Sequence, residues 1–491
     1  MNTTTNLFAT SIMLATMAHS TTSDLTLTSS SQYLVDAFNW NKSKALRCVV
    51  TGKSNNIPCY QAAYSDRDCF CIRDACHQSE GAALLGLNAE NLSMWRTFAR
   101  LQTAARGYFT VWEVNFSGGI YLCGGGDYQS DEIFIRMIPG MPELVEKAYA
   151  LYLWSGDESW IKDPVLTDFY ESTMNKCLKQ VDDNNDGIGE GHFNDIQGPN
   201  GSYCEGSAHG FGVGGDNISS TWAAYNAYAK LLTAMGKIPE ASASREKARN
   251  IKGHYDKDWW STEGNCYYSG RSIGLDRWFT EFNQWSKETY MFQATKCIAE
   301  PGAKADALLD RIHNNYLANR KKYNFESFTY LPESFYKYGR NDRGWYWLKC
   351  IMDSHYNYPE VSMTAIGFIA TGTMGIKPDA PRHAVATLGR LTADVAWVQL
   401  AGIPVGSHKV QIKHENNNNT TTLVHTSGPQ DLMWEACFPG SYAALQVDGE
   451  VTAARQKAIN GVTVTYATIT MGVGQQKTVS VTNNPRENSK R

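Results

Sequence analysis

The sequence predicts a mostly α protein that ends in a small antiparallel β-domain. Apolar residues recur at spacings of three and four through about residues 91–371, separated by loops rich in Gly, aromatic and polar residues. After about Pro381 the period shortens to strict alternation. A chain of 491 residues, 42% hydrophobic and 19% charged, is long enough to bury a full core, and its size suits one large domain plus a smaller one.

The first predicted helix spans 91–106, where Met94, Phe98 and Leu101 share a face and Gly107 ends the run. A second starts at Pro142. Leu144, Val145, Ala148, Leu151 and Tyr152 form its apolar side, and Ser155-Gly156 stops it. A third follows Asp163-Pro164 and runs through Val165, Phe169 and Leu178 to an acidic turn. The clearest pattern is 221–235, which Ser219 or Ser220 can cap, which alanines favour and which Gly236 follows. Pro239 opens the next, with Ala248, Ile251 and Tyr255 on one face, and further patterns cover 285–299, 303–319, 344–354 and 361–371. There is no fixed internal period. Ten to twelve such helices therefore close into a ring of antiparallel hairpins more economically than they stack into a two-helix-repeat solenoid.

The last hundred or so residues read as hairpins. Val410, Ile412 and His414 alternate with polar residues, the 416–419 asparagine run supplies a turn, and Leu423 and His425 resume the alternation. Val462, Val464 and Tyr466, a turn over 472–476, then Val479 and Val481 repeat the pattern. The expected divisions are a leader over 1–20, a helical body over 21–385 and a small β-sandwich-like domain over 386–491.

The 7–18 stretch is a short apolar run before His19-Ser20, which predicts a secretory leader and a secreted or extracytoplasmic protein, although no basic residues open it. No apolar stretch reaches the 18 residues or more that cross a bilayer. The formal net charge of −4 supplies no basic field for nucleic acid. In an exported chain the 12 cysteines predict disulfides, with Cys48, Cys59, Cys69, Cys71 and Cys76 stapling the entry segment. Their spacing lacks the paired C-x-x-C of structural zinc sites, so no metal is assigned to them. Asn41, Asn91, Asn115, Asn200, Asn217 and Asn418 begin Asn-x-Ser/Thr acceptors, which predicts a glycoprotein.

Carboxylates in glycine and aromatic loops direct attention to glycoside hydrolysis. That chemistry needs two carboxyl groups flanking one bond, one protonated to assist the leaving oxygen and one ionised to activate water or attack carbon. Asp216 is the first choice for the acid, since glycines let its loop approach a substrate and the following helix fixes it. It serves equally as a cap of that helix. A glycan on Asn217 would sit beside it, so these two expectations exclude each other. Glu360, after Pro359 at a helix start, is the candidate second carboxylate, with Glu333 and Glu205 as alternatives. A helix dipole alone also favours an acid at such a position.

Arg67 and Asp68, with Arg73, Asp74 and His77, gather donors and acceptors able to clamp vicinal hydroxyls, or else form a buried ion pair at the entry. Trp112 and Glu113 precede a Gly-rich turn, and with Trp222 they are candidates for a sugar-stacking wall. The segment Gly-Gly-Asp-Asn-Ile-Ser-Ser-Thr-Trp at 214–222 resembles the Gly-Trp-Asp-Phe-Ser-Ser-Arg-Trp segment of trehalases, whose Asp is the general acid. The correspondence falls on Asp216, Ser219, Ser220 and Trp222, whereas Gly215 and Thr221 depart from it. Asp186-Gly187-Ile188 followed by Glu190 resembles the Asp-Gly-Leu-Ile-Glu turn of β-glucosidases related to bile-acid glucosylceramidase. A β-domain after the helices is similar to the arrangement in α-L-rhamnosidases. The resemblance implies the six-hairpin glycosidase superfamily, hence an (α/α)6 toroid with a C-terminal antiparallel β-domain, an oligosaccharide or polysaccharide substrate, and Arg-Asp loops that hold sugar.

Two other classes remain open to the sequence: a polysaccharide lyase recruiting His77, His209 or Tyr203 for a uronate substrate, and a non-catalytic glycan-binding protein. Asp182, Asn184 and Asp186 before Gly187 match the opening of a calcium loop, but Phe193 stands where an EF-hand has its twelfth-position Glu. Calcium near these residues is therefore set against a solvated turn, and no other cofactor is expected. The 210–215 glycine run follows no apolar strand and is not a dinucleotide fingerprint, and no P-loop pattern is present.

Overall fold

The computed structural model describes residues 23–53, 55–122, 128–192, 198–204 and 210–482. The expected leader, Glu205, His209 and Phe193 lie outside the described residues. Twelve α-helices of six residues or more form the body: α1 (Gln32–Arg47), α2 (Ile72–Leu84), α3 (Asn88–Leu101), α4 (Gly140–Ser155), α5 (Pro164–Ser172), α6 (Gly215–Ala234), α7 (Ile238–Asp258), α8 (Lys287–Thr295), α9 (Ala303–Asn319), α10 (Leu331–Tyr336), α11 (Asn341–Asp353) and α12 (Pro359–Phe368). The even-numbered helices form the inner ring. α2 packs on α4, α4 on α6, α6 on α8 and α8 on α10; α10 meets the π-turn Ile369–Thr373 that extends α12, and α12 returns to α2. The odd-numbered helices form the outer ring, as in the α6–α7 and α10–α11 hairpins.

Burial follows this division. All ten residues of α12 are buried, and α2 buries Asp74, His77, Gln78 and Ser79 together with its apolar residues. The outer α7 buries only a stripe of Ala241, Ser244, Ala248, Ile251 and Tyr255. The ring closes where α2 meets α12, and the approach there is very close: a Cβ on Gly81 would stand 2.0 Å from the Met363 carbonyl oxygen.

The β-domain comprises β1 (Thr26–Ser29), β2 (Lys377–Asp379), β3 (Ala384–Leu388), β4 (Val398–Val405), β5 (His408–Glu415), β6 (Thr420–Ser427), β7 (Leu432–Pro439), β8 (Ala444–Val447), β9 (Glu450–Ala453), β10 (Arg455–Ile459), β11 (Val462–Met471) and β12 (Gln476–Val481). One sheet has the order β1-β4-β5-β6-β12-β8-β9, the other β2-β3-β7-β11-β10. Pairing is antiparallel except that β3 runs parallel to β7. Two expectations about this domain need correction. The boundary at 385 cuts through β3, and the N-terminal β1 belongs to this sheet, pairing Leu27 with Leu400. The expected alternation in β5 and β6 is present, and it turns His408, His414 and His425 into the core along with Val410, Ile412 and Leu423.

The partners of these histidines fix which ring nitrogens carry hydrogen. The Met471 carbonyl can only accept, so His425 donates from Nδ1 (3.0 Å) and accepts at Nε2 from His408 Nδ1 (3.0 Å); His408 Nε2 in turn accepts from His383 Nδ1 (2.9 Å). His414 donates from Nε2 to the Met374 carbonyl (3.0 Å) and accepts at Nδ1 from Thr421 (2.9 Å). Burial pushes His414 down to about 4; burial followed by the neighbouring His425 and His383 does the same for His408.

Among the described residues, Cys48, Cys59, Cys71 and Cys76 form no disulfide with one another, and most of them are buried in the core. The glycan expectation fails at three acceptors. Asn41, Asn91 and Asn217 are fully buried, and their Nδ2 groups donate to the carbonyls of Ala37, Ser79 and Gly189. Among the described residues no helix is long and apolar enough to cross a membrane.

Gly81→Ala is expected to destabilise the protein by about 1–3 kcal/mol in denaturant unfolding, because backbone must move to admit the methyl group. Gly253→Ala, on α7 with nothing within 4 Å of the new Cβ, is expected to stabilise by about 0.5–1 kcal/mol. A histidine whose folded pKa lies below its unfolded value contributes stability above the unfolded value, and that stability is lost as pH falls through the folded one. Thermal stability is therefore expected to fall as pH drops from about 6.5 to about 4, with His414→Gln flattening that slope.

Candidate active site

The N-terminal ends of the inner helices converge on one mouth of the ring, and a cleft of about 490 Å³ opens there. A short strand pair builds one wall. Cys69–Cys71 pairs antiparallel with Glu113–Asn115, setting Cys71 opposite Glu113, and the chain then enters α2 so that Arg73 and Asp74 fall in or beside its first turn. Glu326 comes from the 3-10 turn Phe325–Tyr330 that precedes α10, opened by an Asn324 side-chain cap. Tyr358 caps α12, Glu360 lies in its first turn, and Lys287 and Glu288 open α8.

Among the described residues four carboxylates line the cleft: Asp74, Glu113, Glu288 and Glu326. Three have a cation beside them. Arg73 reaches Glu326 at 2.5 Å, Arg67 reaches Glu113 at 2.6 Å and Lys287 reaches Glu288 at 2.8 Å. Asp74 instead accepts from the Tyr358 hydroxyl. One carboxylate oxygen each of Asp74, Glu326 and Glu360 lie within 4.8 Å of one another, all three groups being buried. Burial, then Glu360 and Glu326, push Asp74 well above the usual carboxylate range; burial, then Glu326, do the same to Glu360. Among the described residues Arg73 is the one cation beside these three acids, an arrangement that favours a protonated Asp74 beside an Arg-bound Glu326.

Glu360 itself does not reach the cleft. It lies beneath the floor, against His77, whose ring stacks on Tyr330 at 3.8 Å. Burial holds His77 down at about 3, so the contact between His77 Nδ1 and Glu360 Oε1 is a hydrogen bond between neutral partners rather than an ion pair.

The expected site residues divide into two groups. Arg67, Arg73, Asp74, Trp112 and Glu113 line the cleft. Asp68 is exposed outside it, while His77 faces a separate internal cavity of about 250 Å³ with Glu80, Lys147 and Glu333. Trp222 packs against the core, away from the cleft.

Glu333 is bound by Lys337 at 2.7 Å; burial opposes its charge, but Lys337 and Lys147 outweigh it and hold it at about 2. The α10 helix follows a 3-10 turn, so Glu333 sits deeper in the ring than Glu326, which replaces it at the mouth. Asp216 is the larger correction. It is fully buried behind the cleft and accepts from Ser202 Oγ (2.9 Å), Tyr203 N (2.6 Å) and Asn217 N (3.0 Å). Burial raises it to about 7. It clamps the loop that carries Tyr203 and does not line the cleft.

Sequence reasoning missed Glu326, Glu288, Tyr358 and the exposed Trp285 as lining groups. The Asn-Phe-Glu start of the 3-10 turn was a usable signal for Glu326. A larger cavity, about 860 Å³, lies between the ring and the β-domain. Among its charged groups, Lys457 pairs with Glu435 and Arg390 donates to the Gly372 carbonyl (2.8 Å). The paired acids are at the smaller cleft.

No protein-family model and no curated protein sequence matches this chain. Its structure is similar to that of an α-L-rhamnosidase from Dictyoglumus thermophilum, with a TM-score of 0.62 and 12% identity over 94% of this chain and 51% of the other. An α-L-rhamnosidase from Aspergillus terreus has a TM-score of 0.57 and 12% identity over 92% of this chain and 51% of its own. A protein named sialidase has a TM-score of 0.57 and 10% identity over 80% and 38%. The chain thus spans about half the length of these structures or less. At such identities the likeness is one of fold: the (α/α)6 toroid with a β-domain that glycosidases also use.

Asp216→Asn is expected to lower stability by about 1–3 kcal/mol, because an amide group then faces the donors of Ser202, Tyr203 and Asn217. Thermal unfolding measures that loss, and an unchanged near-ultraviolet circular dichroism spectrum would show the fold retained.

Proposed function

We propose that this protein is a glycoside hydrolase acting on a neutral sugar in the cleft at the mouth of the ring. The observation that carries the reading is the buried Asp74 beside the Arg73-bound Glu326, within 4.8 Å of each other. Asp74, kept protonated by burial, would donate to the leaving oxygen, and Glu326, charge-balanced by Arg73, would attack or stabilise the anomeric carbon. A separation this short leaves little room for a water between the two groups. It therefore favours a retaining displacement through a glycosyl-enzyme intermediate over direct inversion, which uses carboxyls about 6.5–9.5 Å apart.

The remaining lining groups fit a sugar. Trp112, Trp285, Tyr323 and Tyr358 offer flat faces, and Asn324 adds an amide. Arg67, Arg73 and Lys287 are each matched to a carboxylate. The solved structures similar in fold include two α-L-rhamnosidases, which makes α-L-rhamnosides the first substrates to try.

Asp74→Asn and Glu326→Gln are each expected to reduce turnover of aryl glycosides or oligosaccharides by at least about 10²-fold while circular dichroism stays native. Product anomers followed by NMR are expected to show retention. Full activity in the Asp74 variant, or a product absorbing in the ultraviolet as an unsaturated uronide does, would sink the proposal.

A further inference from the structure

The turn between the end of the α5 segment and the cleft loops carries a second cluster of acids. One carboxylate oxygen each of Asp182, Asp186 and Glu190 lie within 4.8 Å of one another. The turn is half-exposed on the Asp182 and Asp186 side, whereas Glu190 is only 4% exposed. Glu190 Oε2 accepts from the Asp183 backbone N–H at 2.8 Å, but Oε1 is buried without a hydrogen-bond partner. Among the described residues the nearest ion pair on the turn is that of Asp183 with His192, and no lysine or arginine is paired with Asp182, Asp186 or Glu190. Three mutually repelling acids, one of them with a bare buried oxygen, are costly to hold together without a positive charge.

The spacing of these residues identifies the charge that fits. Asp182, Asn184, Asp186 and Glu190 occupy the first, third, fifth and ninth positions of a calcium loop. The twelfth-position Glu of an EF-hand is missing, but Glu190 brings a carboxylate to the ninth, where such loops often reach the ion only through water. All the donors are oxygens, which suits a hard cation, and a set of irregular carboxylate and amide oxygens suits calcium better than the strict octahedron of magnesium.

We propose that Asp182, Asn184, Asp186 and Glu190 form a calcium site that braces this turn. The brace would act on the mouth of the ring through short links. Glu190 N donates to the Val181 carbonyl at 2.5 Å, the Gly189 carbonyl accepts from Asn217 Nδ2 at 2.7 Å in the first turn of α6, and Gly191 N donates to the Gly212 carbonyl at 2.7 Å. Asn217 adjoins Asp216, which in turn holds the Ser202–Tyr203 loop at the cleft.

The test uses the full chain stripped of metal by a chelator and titrated calorimetrically with calcium chloride to about 10 mM, above the ~10⁻³ M of weak extracellular calcium modules. One site is expected, with a rise of about 2–4 °C in the unfolding midpoint at saturation. Terbium provides an independent readout, because Trp259 and Trp278 share a cavity with Asp186 and are placed to sensitise its luminescence. Glu190→Gln and the more peripheral Asp186→Asn are each expected to weaken both signals at least tenfold. The inference is overturned if the native chain gives neither calcium heat nor terbium luminescence, if magnesium binds as tightly as calcium, or if both variants bind like the native chain.

Discussion

The arrangement depends on one constraint: six inner helices point their N-terminal ends at a single mouth. Each such end carries unpaired backbone N–H groups and the positive end of a helix dipole, so an acidic residue in the first turn is favoured there. Asp74 on α2, Glu143 on α4, Asp216 on α6, Glu288 on α8 and Glu360 on α12 all occupy first turns. Gathering that many acids in a buried ring is tolerable only where each is matched. Lys296, at the far end of α8, pairs with Glu143 at 2.8 Å and Glu146 at 2.5 Å, and Lys147 pairs with Glu80 at 2.8 Å. Asp74 and Glu360 have no such cation of their own, and their response is to hold protons.

The site also sits on the seam where the ring closes. α2 is the first inner helix and α12 the last, and the tight packing at Gly81 and Met363 brings Asp74 against Tyr358 and Glu360, more than 280 residues away in the chain. The proposed acid is thus positioned by ring closure rather than by any local motif. A loosened seam would change the donor that Tyr358 supplies to Asp74 before it changed the cleft walls, which stand on the Cys69–Cys71 and Glu113–Asn115 strands.

Much of this was legible in the linear sequence, and the failures have physical causes. Outer helices and strands announce themselves by one-sided burial: α9 coincides with the expected 303–319 stretch, and β5 and β6 follow the Val410 and Leu423 alternation. The outer α1 and the inner α2 and α10 were not recognised. α2 is buried on all sides and contains Arg73, Asp74, His77, Gln78 and Gly81, so it shows no apolar stripe, while α10 has only six residues. Arg67, Arg73, Asp74, Trp112 and Glu113 line the cleft because they bracket a strand pair at the rim. Glu326 escaped it because a carboxylate at the mouth on α10 requires knowing that a 3-10 turn precedes the helix.

Asp216 shows why a first-turn acid is an ambiguous signal. It and Asp74 hold equivalent places on α6 and α2, both are buried, and burial raises both. They differ in what lies in front of them. The Ser202–Tyr203 loop covers Asp216 with a hydroxyl and a backbone N–H, and Asn217 adds a third donor. Asp74 receives one hydroxyl, from Tyr358, and borders open space. The helix supplies the acid in both cases; the covering loop decides which of them can meet a substrate. Tyr203 does so twice over, closing Asp216 with its backbone while its ring lines the cleft and its hydroxyl donates to Glu143 at 2.7 Å. A tyrosine committed in that way has no free hydroxyl to act as a base.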